Sequence, residues 1–250
     1  MKLDMAGLAG KAALVTGGSR GMGAAIAERL ARDGADVAVT YEKSADRAAE
    51  VVAAIERLGR RGLAIAADSG NPDAVRAAVE RTVSTLGRLD ILVNNAGIFV
   101  ARPIDELTLE DFRRTVAVNV EAVFVASQAA AAHIGEGGRI VSIGSNLAQR
   151  IPDAGMSLYG LSKAAVAGFT QGLARDLGPR GITVNVVHPG STDTDMNPAD
   201  GAHAELQRSR MAIPRFGAPR DVASLVAWLA SEEARFVTGA AFTIDGGANA

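Results

Sequence analysis

The chain contains no cysteine. Disulfides, thiolate nucleophiles and zinc–thiolate sites are therefore excluded together. Aromatic residues are only 4% of the sequence, with two tyrosines and one tryptophan, whereas glycine occurs 28 times and alanine is abundant. Close packing of helices on a sheet uses such small side chains. No long run of lysine and arginine occurs and the formal net charge is -2, so the electrostatic footprint of a general nucleic-acid binder is missing. A small local anion site remains compatible with that balance. No stretch offers roughly 18 or more apolar residues free of charge, and the start, MKLDMAGLAGKAALVTGG, has too short an apolar run for a signal peptide. These absences predict a soluble cytoplasmic protein without membrane association. The three histidines, His133, His188 and His203, are scattered, so no metal site is expected, and His188 reads as a strand-end residue.

What is present is ordinary for a globular protein: 48% apolar and 22% charged residues in 250. Short aliphatic runs alternate with longer segments of helical period. KAALVT (11–16), DVAVTY (36–41), GLAIAAD (62–68), DILVNNAG (90–97), RIVSIGS (139–145), ITVNVVHPG (182–190) and AAFTID (240–245) read as seven strands. Helices are predicted over 22–34 and 44–59, from Asn71 as N-cap with Pro72 at the first helical position, and around 104–134 and 157–178. No linker or charge block interrupts the series. The expected fold class is α/β: one doubly wound, Rossmann-type domain over 1–250, with a seven-stranded parallel sheet and helices on both faces. The polar segment 191–217, after the sixth strand, is a candidate lid, because ligands of open α/β sheets bind beyond the strands' carboxyl ends.

Between the first strand and first helix lies TGGSRGMG (16–23). Glycines there let backbone N–H groups approach a pyrophosphate at the helix's positive end. A carboxylate at the end of the second strand would bond the adenosine ribose, but that position holds Tyr41, followed by Glu42, Lys43 and Ser44. With Arg20 inside the turn, two cations and a hydroxyl suit a 2′-phosphate, so NADPH is favoured over NADH; Glu42 is the discordant residue. SLYGLSK (157–163) puts Tyr159 and Lys163 one helical turn apart, on one face. An ammonium group there would lower the phenol's pKa toward the working range.

TGGSRGMG, NNAG (94–97), SIGS (142–145), YGLSK (159–163) and HPGSTDTDM (188–196) together resemble the short-chain dehydrogenase/reductase family in order and spacing. The resemblance runs from about Gly10 to the IDGG at 244–247, and PGxxxTDM with FVTGAAFTIDGG is similar to its bacterial 3-oxoacyl-acyl-carrier-protein reductase branch. It implies a catalytic tetrad of Asn119, Ser145, Tyr159 and Lys163. In it Tyr159 donates a proton, Ser145 holds the substrate oxygen, and Lys163 bonds the nicotinamide ribose and tunes the phenol. Asn119 kinks its helix and seats a water of the proton relay. It also implies a coenzyme site from Gly17, Ser19, Arg20, Gly21, Met22 and Gly23 of the turn and Tyr41, Glu42, Lys43 and Ser44 after the second strand. Asp68 and Ser69 at adenine, Asn95, Ala96 and Gly97 beyond the fourth strand, and Pro189, Gly190, Thr192 and Thr194 by the nicotinamide complete it. Ser69 replaces the family's commoner valine.

The expected activity is reduction of a ketone, either a 3-oxoacyl thioester or a smaller carbonyl compound, to a secondary alcohol. Arg208, Arg210 and Arg215 are candidates for a basic patch that would receive acidic acyl carrier protein, or for ordinary surface charge. Asp193 and Asp195 read as caps or solvated groups of the lid. Family members usually assemble as homotetramers through the helices around 104–134 and 157–178 and the C-terminal strand. A competing reading comes from AGMSLYGLSKAAVAGFTQGLARDLGPRGITVNVVHPGSTDTDMNPADG, which resembles a biofilm-dispersal regulator on this fold that binds cyclic di-GMP.

Overall fold

The computed structural model describes residues 7–250; residues 1–6, part of the N-terminal stretch discussed above, lie outside them. Strands β1 (Ala12–Val15), β2 (Asp36–Tyr41), β3 (Gly62–Ala66), β4 (Ile91–Asn94), β5 (Arg139–Ile143), β6 (Thr183–Pro189) and β7 (Ala241–Ile244) form one sheet. Its order is β3-β2-β1-β4-β5-β6-β7, and every pairing is parallel. Because side chains alternate across a strand, the sheet sorts its apolar residues into two layers. Ala13, Val15, Val37, Val39, Ile91 and Val93 pack on one face with helix α1 (Gly21–Arg32) and helix α8 (Pro219–Ala230). Ala12, Leu14, Ala38, Leu92 and Ile140 pack on the other with helix α3 (Pro72–Leu86), helix α5 (Ala122–Ala131) and the end of helix α6 (Ser157–Leu177). The edge strands β3 and β7 are the least buried, and β2 is partly exposed only at its ends, Asp36 and Tyr41.

Local chemistry accounts for most boundaries. Asn71 caps α3, its Oδ1 accepting from Asp73 N at 3.0 Å and Ala74 N at 3.2 Å, with Pro72 at the start and Gly87 left-handed (φ +86°) at the end. Helix α2 (Ala45–Arg57) stops two residues short of Gly59, which turns the chain at φ +74°. The helix expected around 104–134 begins only at α4 (Leu109–Val116), where Thr108 and Asp111 form a reciprocal cap. It is also not continuous. A π-turn over Ala117–Glu121 separates α4 from α5, centred on Asn119. Strand β5 ends at Ile143, so Ser145 stands two residues beyond the strand that it was expected to close.

The sheet order reverses between β1 and β4, so the connections leave toward opposite faces and open a crevice at the strands' carboxyl ends. The segment 191–217 carries a short helix α7 (Ala204–Ser209) and ties back to the body through Ile213 N, which donates to Gly246 O at 2.8 Å. Among the described residues no helix is long and apolar enough to cross a membrane.

Candidate active site

The glycine turn leaves β1 at this crevice and is welded in place before it meets any ligand. Thr16 Oγ1 accepts from Asn95 N at 2.9 Å and Ala96 N at 3.0 Å, and Asn95 Nδ2 returns bonds to the carbonyls of Thr16 (2.9 Å) and Gly17 (3.0 Å). Gly17 N donates to Thr40 Oγ1 at 2.9 Å. Asn95 thus spends its amide on the turn and acts as its brace. A Cβ at Gly23 would lie 2.4 Å from Gly17 O and 2.5 Å from Asn95 Nδ2, so only glycine permits this approach. Among the described residues no side chain caps α1, and its first turn carries no acidic residue. Its N–H groups and positive end remain for an anion.

Around the end of β2, Arg20 and Lys43, expected to receive a 2′-phosphate, are each paired with a carboxylate, beside charges that sequence reading missed. Arg20 Nη1 lies 3.3 Å from Asp195 Oδ2, and Arg47 Nη1 donates to the same oxygen at 2.5 Å. Arg47, from the first turn of α2, was not expected here. Arg114 of α4 reaches Asp68 Oδ1 at 3.3 Å and lies 3.7 Å from Glu42 Oε2, while Lys43 lies 3.5 Å from Glu42 Oε1. Glu42 is thereby paired with two cations, which answers its expected conflict with a phosphate. The Gly70 amide, with Arg114 assisting, holds the Asp68 carboxyl below its ordinary pKa. Thr194 packs its methyl over Gly21, and Gly190 sits against Asp245, where a Cβ would be 2.5 Å from that residue's Cβ. Thr192 is buried and donates to Gly190 O at 3.1 Å.

Across the crevice, α6 presents Tyr159 and Lys163. Leu158, Ser162, Lys163, Val166, Thr170, Ala174 and Leu177 are buried, a helical repeat that turns this face inward. Lys163 Nζ donates to Ile143 O at 3.0 Å and lies 5.7 Å from the centre of the Tyr159 ring. Burial brings the Lys163 pKa from 10.5 down to about 8. Tyr159 behaves opposite to expectation. Burial of its hydroxyl raises the pKa above 10, opposed only by the Ser145 hydroxyl. Here the Lys163 ammonium is turned to a backbone carbonyl and is itself desolvated. Ser145 Oγ accepts from Leu147 N at 3.2 Å, which leaves its proton free to donate. Phe99 stands edge-on to Tyr159, ring centres 4.9 Å apart, at the exposed side of the site.

Asn119 occupies the π-turn fully buried. Its Oδ1 accepts from Ile98 N at 2.9 Å, and its Nδ2 donates to Ile98 O and Ser162 Oγ, both at 3.0 Å. Ser162 in turn donates to Tyr159 O at 2.8 Å. Asn119 therefore staples the β4 exit to the turn of α6 that carries the tyrosine. At Gly97 a Cβ would meet Asn119 Oδ1 and Lys163 Nζ, each at 3.4 Å, so the three elements converge on one point. His188, read as a mere strand-end residue, is wholly buried and its Nδ1 accepts from Ser145 N at 3.1 Å. Burial, reinforced by the Lys163 charge, depresses its pKa below 6.5.

The expected basic patch on the lid dissolves into pairs. Arg208 bonds Glu205 and lies over Phe216, Arg210 grips Asp153, with Nη2 to Oδ1 at 2.7 Å, and Arg215 is 4.0 Å from Asp221. Asp193 Oδ1 accepts from Ala199 N at 2.9 Å within the turns before α7; Asp195 binds the two arginines.

A family described as Enoyl-(Acyl carrier protein) reductase matches residues 17–249. The chain belongs to the short-chain dehydrogenase/reductase family. It is 49% identical over 244 residues to the Cyclic-di-GMP-binding biofilm dispersal mediator protein of Escherichia coli K12, across 97% of this chain and 98% of that one. A short-chain dehydrogenase from Burkholderia cenocepacia J2315, crystallised in complex with NADP, superposes with a TM-score of 0.96 at 71% identity, over 97% of this chain and 99% of that chain. A blue fluorescent protein from a metagenomic library, crystallised with NADPH, gives 0.96 at 55% identity, over 98% and 100%.

Proposed function

We propose that the chain is an NADPH-dependent oxidoreductase that reduces a ketone, either a 3-oxoacyl thioester or a small carbonyl compound, to a secondary alcohol, with Tyr159 as proton donor. The observation that carries this reading is that Asn119 and Lys163 meet beside Gly97, next to the Asn95–Ala96 segment that braces the glycine turn, with Lys163 Nζ 5.7 Å from the centre of the Tyr159 ring. The turn suits a dinucleotide: it has glycine where a Cβ would collide, an uncapped helix start and cations at its outer edge. Gly17, Ser19, Gly21, Met22 and Gly23 would hold the pyrophosphate, Arg20, Tyr41, Lys43 and Ser44 the adenosine end, and Asp68 and Ser69 the adenine. Asn95, Ala96, Gly97, Pro189, Gly190, Thr192 and Thr194 would surround the nicotinamide half. When bound, the coenzyme supplies the hydride.

The chain's own part is the proton and the developing charge. Ser145 donates its free hydroxyl proton to the substrate oxygen and fixes it beside the phenol. Tyr159 is protonated at neutral pH and so holds a proton to give, although burial, which raises its pKa, disfavours the phenolate left behind. Lys163, whose pKa is about 8, would return the proton that the phenol gives up once its ammonium swings from the Ile143 carbonyl, and Asn119 holds the Ile98 and Ser162 contacts that keep these groups in register. Tyr159→Phe tests the reading: NADPH oxidation with a ketone panel should fall by about 100-fold or more. Unchanged turnover would refute it.

A regulator that binds cyclic di-GMP is the second reading, favoured by the extent of similarity to the Escherichia coli mediator. Calorimetric titration with cyclic di-GMP separates the two. Assembly as a homotetramer is part of the proposal. It is supported by an open groove of about 310 Å³ lined by Val116, Val120, Val123, Phe124, Val166 and Phe169. Sedimentation analysis reads the mass directly.

A further inference from the structure

The adenosine edge holds a contact that neither the chemistry above nor the packing requires. Asp195 belongs to the segment after β6, and its Oδ2 is shared by Arg20 of the glycine turn at 3.3 Å and Arg47 of α2 at 2.5 Å. All three side chains are about half exposed, so burial does not force them together. One carboxylate oxygen thus bridges two guanidinium groups carried by the two elements that flank the end of β2.

Those two cations come from the glycine turn and from the helix after β2, the elements from which a nearby arginine accommodates a 2′-phosphate in dinucleotide folds. The end of β2, Tyr41 to Ser44, leads directly into the helix that carries Arg47, and Arg20 faces it from the turn. Glu42 and Asp68, the other acids of this edge, are occupied by Arg114 and Lys43. Among the described residues Arg20 and Arg47 are ion-paired with the lid's Asp195 alone.

We propose that Asp195 is an internal competitor of the coenzyme's 2′-phosphate: the lid carboxylate occupies the Arg20–Arg47 pair, and a 2′-phosphorylated ribose must displace it. This rests on the reading of the chain as a dinucleotide-binding reductase. Phosphate wins the exchange because it carries more charge and offers guanidinium groups paired, bidentate geometry that one shared carboxylate oxygen lacks. An unphosphorylated ribose leaves the contact whole. Asp195 and Arg47 therefore determine coenzyme specificity, and the phosphorylated coenzyme alone frees the lid at its first residues. The Asp195 carboxyl is held below its ordinary pKa by Arg47 and then Arg20, so the contact persists through the neutral range.

The probes are adenosine 2′,5′-bisphosphate and 5′-AMP, which differ only by the group in question, titrated calorimetrically into the full chain and its variants. Asp195→Asn should bind the bisphosphate about 3- to 10-fold more tightly, the range expected for breaking exposed ion pairs, and 5′-AMP unchanged. Arg47→Gln should weaken the bisphosphate and leave 5′-AMP unchanged. By hydrogen exchange, the bisphosphate should deprotect the segment from residue 194 onward in the wild-type chain, as Asp195→Asn does without ligand; 5′-AMP should not.

Equal shifts for both probes, or no shift, in Asp195→Asn would overturn the proposal while leaving the reductase reading intact, provided NADPH binds the wild-type chain. Weaker bisphosphate binding by Asp195→Asn would also overturn it, since the carboxylate would then be orienting the arginines. If the wild-type chain binds neither probe nor NADPH, the reductase reading itself fails and takes this inference with it.

Discussion

The backbone N–H of Ser145 donates to Nδ1 of His188 at 3.1 Å, so a wholly buried imidazole beneath the site holds the serine that faces the tyrosine. Gly144 makes room for the ring, since a Cβ there would lie 2.3 Å from Nδ1. The bond needs the neutral ring with Nδ1 unprotonated, and burial keeps it so.

His188→Ala should therefore cost about 2–4 kcal/mol, from an orphaned buried N–H and a cavity. Turnover should fall about tenfold through misplacement of Ser145, with the NADPH dissociation constant unchanged. Urea unfolding and steady-state kinetics measure the two effects. The wild-type chain should also lose stability as pH drops below 6.5. There the unfolded imidazole takes up protons that the folded one, with its depressed pKa, refuses. His188→Asn should lack that slope.

Lys163 gives a pH dependence at the other end. Its folded pKa of about 8 lies below the unfolded value of 10.5, so between those values the unfolded chain binds more protons and stability rises with pH. The rise amounts to about 3 kcal/mol across the full window. Lys163→Met should flatten it, be more stable than wild type near pH 7, and show no turnover. Unfolding curves at pH 7, 8.5 and 9.5 for both proteins check the sign.

Gly23→Ala forces a methyl to within 2.4 Å of Gly17 O and 2.5 Å of Asn95 Nδ2. One neighbour is the turn and the other is its brace, so relief must come from shifting the turn or breaking the Asn95 bonds that hold it. A loss of about 1–3 kcal/mol is expected from overpacking. Coenzyme binding should weaken far more than the thermal midpoint falls, which fluorescence titration and calorimetry read separately.

Asn119→Leu keeps the volume but removes three hydrogen bonds to Ile98 and Ser162. The expected cost is about 2–4 kcal/mol, because the Ile98 N–H and C=O lose their partners. The π-turn should relax to regular α-helix, visible in a crystal structure of the variant. Turnover should fall with little change in KM for NADPH.

Much of this protein is readable from the linear chain because the relevant physics is local. Apolar runs of strand length, helical repeats and the Asn71–Pro72 cap depend on neighbours a few residues away, and these determine the seven strands and most of the helices that cover the sheet. The glycines of 17–23 and the order of the five motifs likewise announce a nucleotide turn and a family. Only the tertiary structure decides the electrostatics. Arg47 meets Asp195 across 148 residues, Arg114 meets Asp68 across 46, and Ser145 meets His188 across 43. A pKa depends on burial and on those distant partners, which is why Tyr159 and Lys163, adjacent on one helix face, titrate otherwise than their spacing alone implies.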